Sequence, residues 1–395
     1  MTREASDAGE RSAADLLTAS LAAPIGLPPL PQCVVPSDRV AIVVNPEVPH
    51  ASEMIVAIHQ QFLGPDSDPV DVTLLLPPEC PAETSRRLVE QLPLHVRNQL
   101  AIHIHDPADE QQRRYLASSS GGERIYLSHY LTDADLIVTV GMIGFDARLG
   151  YSGTNSDLYP SFADTAAIQA RSDRIAQAVR HPEWTPDQDR PDRQLVDEIG
   201  WLLGTQFAVQ IIPDDRNSVA AVICGLPEEV MKSGRELLNR CWRVTVEDEA
   251  ELAVVTLPAS SARSVSQLGA ALETASQIVG DGGQIAVIAE LPEPDPGLLR
   301  LLSSNESPER MLKQLQRSAT PELVPVAQII RAVQRCRVYL RSNLPAAVAE
   351  ELGMLSLADD AELQRLVDSA ETVAVVPLAN YGWADVVVNP GLQRL

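Results

Sequence analysis

Lysine is nearly missing from this 395-residue chain: of 31 basic residues only Lys232 and Lys313 are lysines. Both lie in helix-like segments, PEEVMKSGRELL and PERMLKQLQR, whose polar faces they suit. A cofactor tethered through an amine therefore has very few places to attach. Positive charge is scarce in general, with 54 acidic residues and a net charge of −23. No basic run is present to displace the counterions of a nucleic acid or to meet an anionic membrane surface. No apolar stretch approaches the roughly 20 residues of a membrane helix. The N-terminal MTREASDAGERSAADLL has acids where a signal peptide carries a basic region, which predicts a cytoplasmic protein. Cys33, Cys80, Cys224, Cys241 and Cys336 contain no C-x-x-C pair, so spacing reads as reduced, mostly buried thiols rather than a zinc site or disulfide framework. A G-x-S-x-G elbow, a Walker loop, an H-E-x-x-H helix and a G-x-G-x-x-G loop are missing too, so the usual nucleophile, nucleotide and zinc signatures give no lead.

What is present is an ordinary globular composition, 45% apolar and 22% charged, on a chain long enough for two or three domains. Continuous apolar runs mark strands at Val40–Val44, Val70–Leu76, Leu100–His105, Leu136–Val140, Phe207–Ile212 and Val219–Cys224, the pattern of strands covered on both faces. Helices fit between most of them, as at Glu53–Phe62 and Glu83–Gln91, and Val230, Met231, Gly234, Leu237, Leu238 and Cys241 repeat at helical spacing after Pro227. The alternation continues with strands at Leu252–Thr256, Ile285–Leu291, Arg337–Leu340 and Thr372–Pro377. Helices are predicted at Val265–Val279, Pro308–Arg317, Val324–Gln334, Ala346–Leu352 and Asp360–Ser369. His181–Arg193, polar and proline-rich, is predicted as a loop, and Pro292–Pro296 as an exposed connection. The expected fold is α/β, with two Rossmann-like lobes and an inter-domain cleft, and the acidic VEDEAE stretch places the division between residues 11–245 and 246–395.

The stretch DADLIVTVGMIGFDARLGYSGTNSDLYPSFADTAAI runs from a buried strand into a Gly-Tyr-Ser-Gly loop and then a helix start. It resembles the nickel-pincer lactate racemase family, in which a strand and a His-containing turn lead to Gly-(Phe/Tyr)-Ser-Gly-Gly-Arg-Lys, three residues, then Pro-Gly. Gly150, Tyr151, Ser152, Gly153 and Pro160 match at that spacing, whereas the lysine position holds Ser156. Further segments look like the family in the same order: LAAPIGLPPL and Val40–Val44, then VQIIPDDRNSVAAVICG with the helix carrying Gly234, then Gln267–Val279 and GGQIAVIAE.

That resemblance implies an isomerase that racemises or epimerises a 2-hydroxy acid. A lysine-bound pyridinium mononucleotide holds nickel with a histidine as further ligand, and two histidines act as alternate bases. Transferred position by position, the tether falls at Ser156, the turn histidine at Asp146, the first base on or near Cys80, and the nickel histidine near Ser172. Asn45-Pro46-Glu47-Val48-Pro49 stands where the family has Asp-x-Thr-Arg-Pro. Gln267 matches a family glutamine, while the nearby lysine position is Ala270. The candidate cofactor-binding positions are thus Gly150, Tyr151, Ser152, Gly153, Ser156 and Gln267, with covalent attachment of the nickel-pincer nucleotide not expected. No metal ligand set is assigned; His181, and the strand pair His103 and His105, read as ordinary polar histidines. Asp146 and Cys80 are the candidate catalytic pair, since a desolvated carboxylate at a cleft can act as a base. The Gly150–Ser156 loop either offers N–H groups, with Arg148 beside it, to a small anion or hydroxy acid, or is a turn. Weak, altered or absent racemase activity and a non-catalytic anion- or partner-binding role are both left open.

Overall fold

The computed structural model describes residues 12–386 apart from 64–69, 79–81, 179–184, 189, 205, 259–263, 295, 304–306, 308–309, 312 and 315–322. In the first lobe the elements run α1 (Ala13–Ala22), β1 (Arg39–Val44), α2 (Ala51–Gln60), β2 (Asp71–Leu76), α3 (Ala82–Gln91), α4 (Leu94–Arg97), β3 (Ala101–Ile104), β4 (Arg113–Ser118), β5 (Arg124–Ser128) and α5 (His129–Thr132). They continue with β6 (Leu136–Met142), β7 (Gly144–Asp146), β8 (Gly150–Ser152), a 3-10 turn at Thr154–Asp157, α6 (Thr165–Ala178), α7 (Pro191–Leu203), β9 (Gln206–Pro213), β10 (Val219–Gly225) and α8 (Pro227–Trp242). After β11 (Arg243–Val246) the second lobe contains β12 (Leu252–Thr256), α9 (Ser264–Val279), β13 (Gln284–Ile288), α10 (Pro296–Leu302), α11 (Leu323–Arg335) and β14 (Arg337–Arg341). It closes with α12 (Ala346–Glu351), β15 (Leu355–Ser356), α13 (Asp360–Ser369), β16 (Val373–Val376), a 3-10 turn at Ala379–Tyr381 and β17 (Trp383–Val386).

Two α/β lobes result. The first sheet has the order β10-β9-β6-β1-β2-β3, parallel except where β10 folds back on β9. Because side chains alternate along a strand, Val40, Ile42, Val44, Val138 and Val140 face one way and pack with Leu17 and Leu21 of α1 and Met54, Ile55 and Ile58 of α2. Ala41, Val43, Leu75 and Ile137 face the other way, against Leu131, Leu158 and Phe162. The second sheet, β15-β14-β13-β12-β16, is parallel throughout. One face packs under α9 and α11 through Ala253, Val255, Val287, Leu272, Ala275 and Ile329, and the other under α13 through Val254, Ala286 and Leu366. The last strand, β17, leaves this sheet and pairs in parallel with β11. Its neighbourhood joins the lobes: the Trp383 and Phe145 rings lie 6.3 Å apart, Trp242 and Tyr381 5.5 Å apart, and the Tyr381 hydroxyl donates to Asn217 Oδ1 at 2.6 Å.

Three features depart from the sequence-based expectation. The predicted loop His181–Arg193 ends early, because Pro191 occupies the first position of α7, where a missing N–H costs nothing. The segment between β6 and the next helix folds as the short hairpin β7–β8, with Gly144 opposite Ser152, Phe145 opposite Tyr151 and Asp146 opposite Gly150. A further hairpin, β4–β5, stands off the main sheets where no strand was expected; its first strand, RRYLAS, is polar and has no fully buried position. Most of the predicted helix at 308–317 lies outside the described residues. Among the described residues no helix is long and apolar enough to cross a membrane.

Candidate functional site

The Gly-Tyr-Ser-Gly loop follows the carboxyl end of β6, the middle of the first sheet, the usual location of ligand sites in open α/β folds. Asp146 shapes its entry. The Oδ1 atom accepts the N–H groups of Arg148 at 2.8 Å and Leu149 at 2.7 Å, so this carboxylate folds the β7–β8 turn. Gly150 then takes φ +77°, and a Cβ there would collide with the Pro186 carbonyl oxygen; both constraints require glycine. The Ser152 hydroxyl reaches back to the Gly144 carbonyl at 3.4 Å.

Tyr151 is buried and points toward the second half of the chain. Its hydroxyl donates to Asp187 Oδ1 at 2.9 Å and accepts from Asn239 Nδ2 at 3.1 Å, while the Arg235 guanidinium lies 4.3 Å from its ring centroid. Burial, followed by the adjacent Asp187, pushes the phenol pKa up. Burial works to raise the pKa of Asp187, but its hydrogen bonds from Arg243 and Tyr151 prevail and hold it below the ordinary carboxylate value. Arg243 donates to Asp187 Oδ2 at 2.6 Å and also to Asp385 on β17. The loop is thereby connected through Tyr151, Asp187 and Arg243 to the last strand.

Past Gly153 the loop closes on itself. The Gly153 N–H donates to Ser156 Oγ at 2.7 Å, and that hydroxyl donates to the Gly153 carbonyl at 3.1 Å. The Thr154 N–H is directed to the Asp157 carboxylate, which also accepts Gln210 Nε2 at 2.7 Å. Asp157 keeps some exposure as a residue, but its carboxylate is enclosed and lies so close to Gly141 that a Cβ there would collide with it. Burial pushes its pKa up to about 7, against the opposing pull of Gln210, Arg193 and Thr154. Gln210 is fully buried on β9, and its Oε1 has no hydrogen-bond partner.

Arg193, near the start of α7, holds the loop from the other side. Its guanidinium donates to the carbonyls of Tyr151 and Gly153, each at 3.4 Å, and is paired with Asp197, which also accepts Asn155 Nδ2 at 3.0 Å. Arg148, expected beside the loop as an anion partner, is itself buried and paired with Asp192 at 3.5 Å; Arg174 meets the same carboxylate at 2.9 Å.

Gly150, Tyr151, Ser152, Gly153 and Ser156 are thus gathered in one loop, whereas Gln267 is half-buried in the first turns of α9 in the other lobe. Cys80 and His181 lie outside the described residues, so the pairing of Cys80 with Asp146 has no geometry to support it. His103 and His105 do separate jobs. His103 stacks on Tyr130 and hydrogen-bonds its hydroxyl at 3.1 Å, while buried His105 bonds the Ala163 carbonyl at 2.9 Å. Among the described residues no group of three His, Cys, Asp or Glu side chains is placed to hold a metal ion. Sequence reasoning missed Arg193, Asp187, Gln210 and Arg243. The i, i+4 pair Arg193–Asp197 was the one available signal, and it was hidden by treating Arg193 as loop.

Residues 1–180 match the model of the lactate racemase N-terminal domain family. No curated protein matches the sequence. Among solved structures, the lactate racemase apoprotein from Thermoanaerobacterium thermosaccharolyticum superposes with a TM-score of 0.78 at 15% identity, covering 95% of this chain and 93% of that one. A protein from Thermotoga maritima superposes with a TM-score of 0.66 at 12% identity, covering 91% of this chain and 96% of that one. The first 180 residues are thus similar to the lactate racemase N-terminal domain, and the chain as a whole has the fold of the lactate racemase apoprotein.

Proposed function

We propose that this chain keeps the racemase fold without the covalent nickel-pincer chemistry, so that 2-hydroxy-acid racemisation is altered or absent and any ligand is a small molecule held without an amine tether. The observation that carries this reading is the closure of the loop at Ser156. At the position where the resemblance calls for a lysine, a short hydroxyl is bonded in both directions to Gly153. The neighbouring N–H of Thr154 is directed to the chain's own Asp157, so donors that a phosphate or carboxylate would use are already engaged. Neither lysine offers a substitute tether, because Lys232 on α8 and Lys313 are exposed on helices. The residues present do not fit the tethered cofactor. No catalytic step is derived through it.

The test is racemisation itself. The protein is produced together with the enzymes that build the nickel-pincer nucleotide and incubated with single enantiomers of lactate and larger 2-hydroxy acids; enantiomer ratios are then followed by chiral chromatography. The proposal expects no conversion that depends on the cofactor-building enzymes, and conversion of any of these acids that appears only when those enzymes are present contradicts it.

A further inference from the structure

A second constellation lies at the carboxyl ends of β1 and β9, the strands on either side of β6. His50 precedes α2, and its Nδ1 lies 3.0 Å from Glu53 Oε1 while its Nε2 lies 3.2 Å from Ser218 Oγ, a residue 168 positions away. We propose that Ser218, His50 and Glu53 form a nucleophile, base and orienting carboxylate that transfer the acyl group of a small neutral or cationic carboxylic ester to Ser218.

The hydrogen-bonding roles follow from the groups themselves. An ionised carboxylate only accepts, so the neutral imidazole must carry its proton on Nδ1, toward Glu53. Nε2 is then the acceptor, and the Ser218 hydroxyl must donate to it. This is the arrangement by which a serine is activated for attack. The backbone supports it: His50 and Asn217, the residue preceding Ser218, both have φ +59°, a conformation uncommon outside glycine and concentrated at functional sites. His50 is the N-cap of α2 but makes no side-chain cap, which leaves the first-turn N–H groups of Ser52 and Glu53 without an intrahelical acceptor. They are the donors on this turn for a developing oxyanion. The Ser218 N–H is engaged by Asp214 Oδ1 at 2.7 Å, which fixes the hairpin that carries the hydroxyl.

The groups are reachable. The side chains of His50 and Glu53 are 37% and 57% exposed, and Ser218 is half-buried. The same hairpin meets the second lobe through Asn217 and Tyr381, so the hydroxyl lies near the junction of the lobes, where ligand sites concentrate. Asp214 and Asp215 on the hairpin, with Glu53, disfavour anionic esters, hence the substrate class.

In the reaction, Ser218 Oγ attacks the ester carbonyl carbon as its proton passes to His50 Nε2. The new acyl–Oγ bond forms, the carbon–alkoxy bond breaks, and the alkoxide takes the proton from His50. Water, deprotonated by the same nitrogen, then cleaves the acyl-serine, releasing the carboxylic acid and restoring Ser218. Only the ester and water are consumed.

A fluorophosphonate probe, from which a serine oxygen displaces fluoride, tests this on the full chain by intact mass and peptide mapping, alongside p-nitrophenyl acetate hydrolysis. The expected result is one adduct, on Ser218, abolished by Ser218→Ala. His50→Asn removes the base while suiting both a left-handed backbone and a helix N-cap. It should slow labelling and hydrolysis by about 100-fold or more. Glu53→Gln should slow both by up to about 10⁴-fold, because an amide does not hold the Nδ1 proton and the ring loses its productive tautomer. No adduct on Ser218, or labelling unchanged in His50→Asn with an unchanged melting temperature, would overturn the proposal.

Discussion

Asp157 is the residue on which the loop is built, and it sets a pH signature. Its carboxylate is enclosed by Gly141, Gln210 and the Thr154 N–H, and burial raises its pKa to about 7, whereas an unfolded aspartate titrates near about 3.9. Between these values the folded chain binds more protons at this site than the unfolded chain does, so its contribution to stability falls as pH rises from about 4 to about 7 and stays low above. Asp157→Asn keeps an acceptor for Gln210 and removes the titration. Urea midpoints at successive pH values should show the variant gaining on the parent chain through that window and holding a constant difference above it. A difference that does not change with pH would contradict the enclosed carboxylate. At this scale the sequence was least informative. Gly150, Tyr151, Ser152 and Gly153 were found by spacing, but nothing local marks Asp157, since the strand that brings Gln210 to it lies 53 residues on. Asp146 likewise looked available as a base until its contacts with the Arg148 and Leu149 N–H groups placed it in a turn.

At the scale of elements, α7 is the brace of the loop. Arg193 joins the helix to the carbonyls of Tyr151 and Gly153, and Asp197 joins it to Asn155. Arg193→Ala leaves those partly buried carbonyls without that donor and Asp197 without its partner, a loss of about 1.5–3 kcal/mol in unfolding free energy. Urea denaturation should show that loss, and amide exchange should speed up in residues 150–156 ahead of the central strands. Arg193→Lys should recover little, because an ammonium cannot span carbonyl and carboxylate acceptors as the planar guanidinium does. The central strands of the first sheet were legible because burial on both faces demands continuous apolar sequence, as LIVTVGM in β6 shows. Strands β7 and β8 were not legible. Each has three residues, too few to display an alternation, and the pairing depends on the turn chemistry of Asp146 and Gly150. The start of α7 was obscured by Pro191, which is compatible with either a loop or a first helical turn.

At the scale of the molecule, the lobes are held by a small aromatic and ionic junction. Trp383, 4% exposed, faces Phe145 across it, and its indole N–H donates to Asp385 Oδ1 at 2.9 Å. Asp385 in turn pairs with Arg243, which reaches Asp187 and so the Tyr151 hydroxyl. Trp383→Ala removes the largest ring of the junction and should cost about 3–5 kcal/mol where the cavity does not collapse. Because each sheet has its own core, calorimetry of the variant should resolve two melting transitions, and a single cooperative transition would show that the junction does not couple the lobes. The two-lobe α/β architecture was legible from alternation alone. The crossing of β17 to β11 was not, because a short strand carries no local sign of so distant a partner.

The central claim is that the loop at Ser156 is complete without a tethered cofactor. Its most direct measurement is intact-protein mass with elemental analysis for nickel, on protein purified from its own host, where any cofactor-building enzymes are present. The account predicts the unmodified mass and no stoichiometric nickel. Nickel near one equivalent, or a mass adduct mapping to residues 151–156, would contradict it.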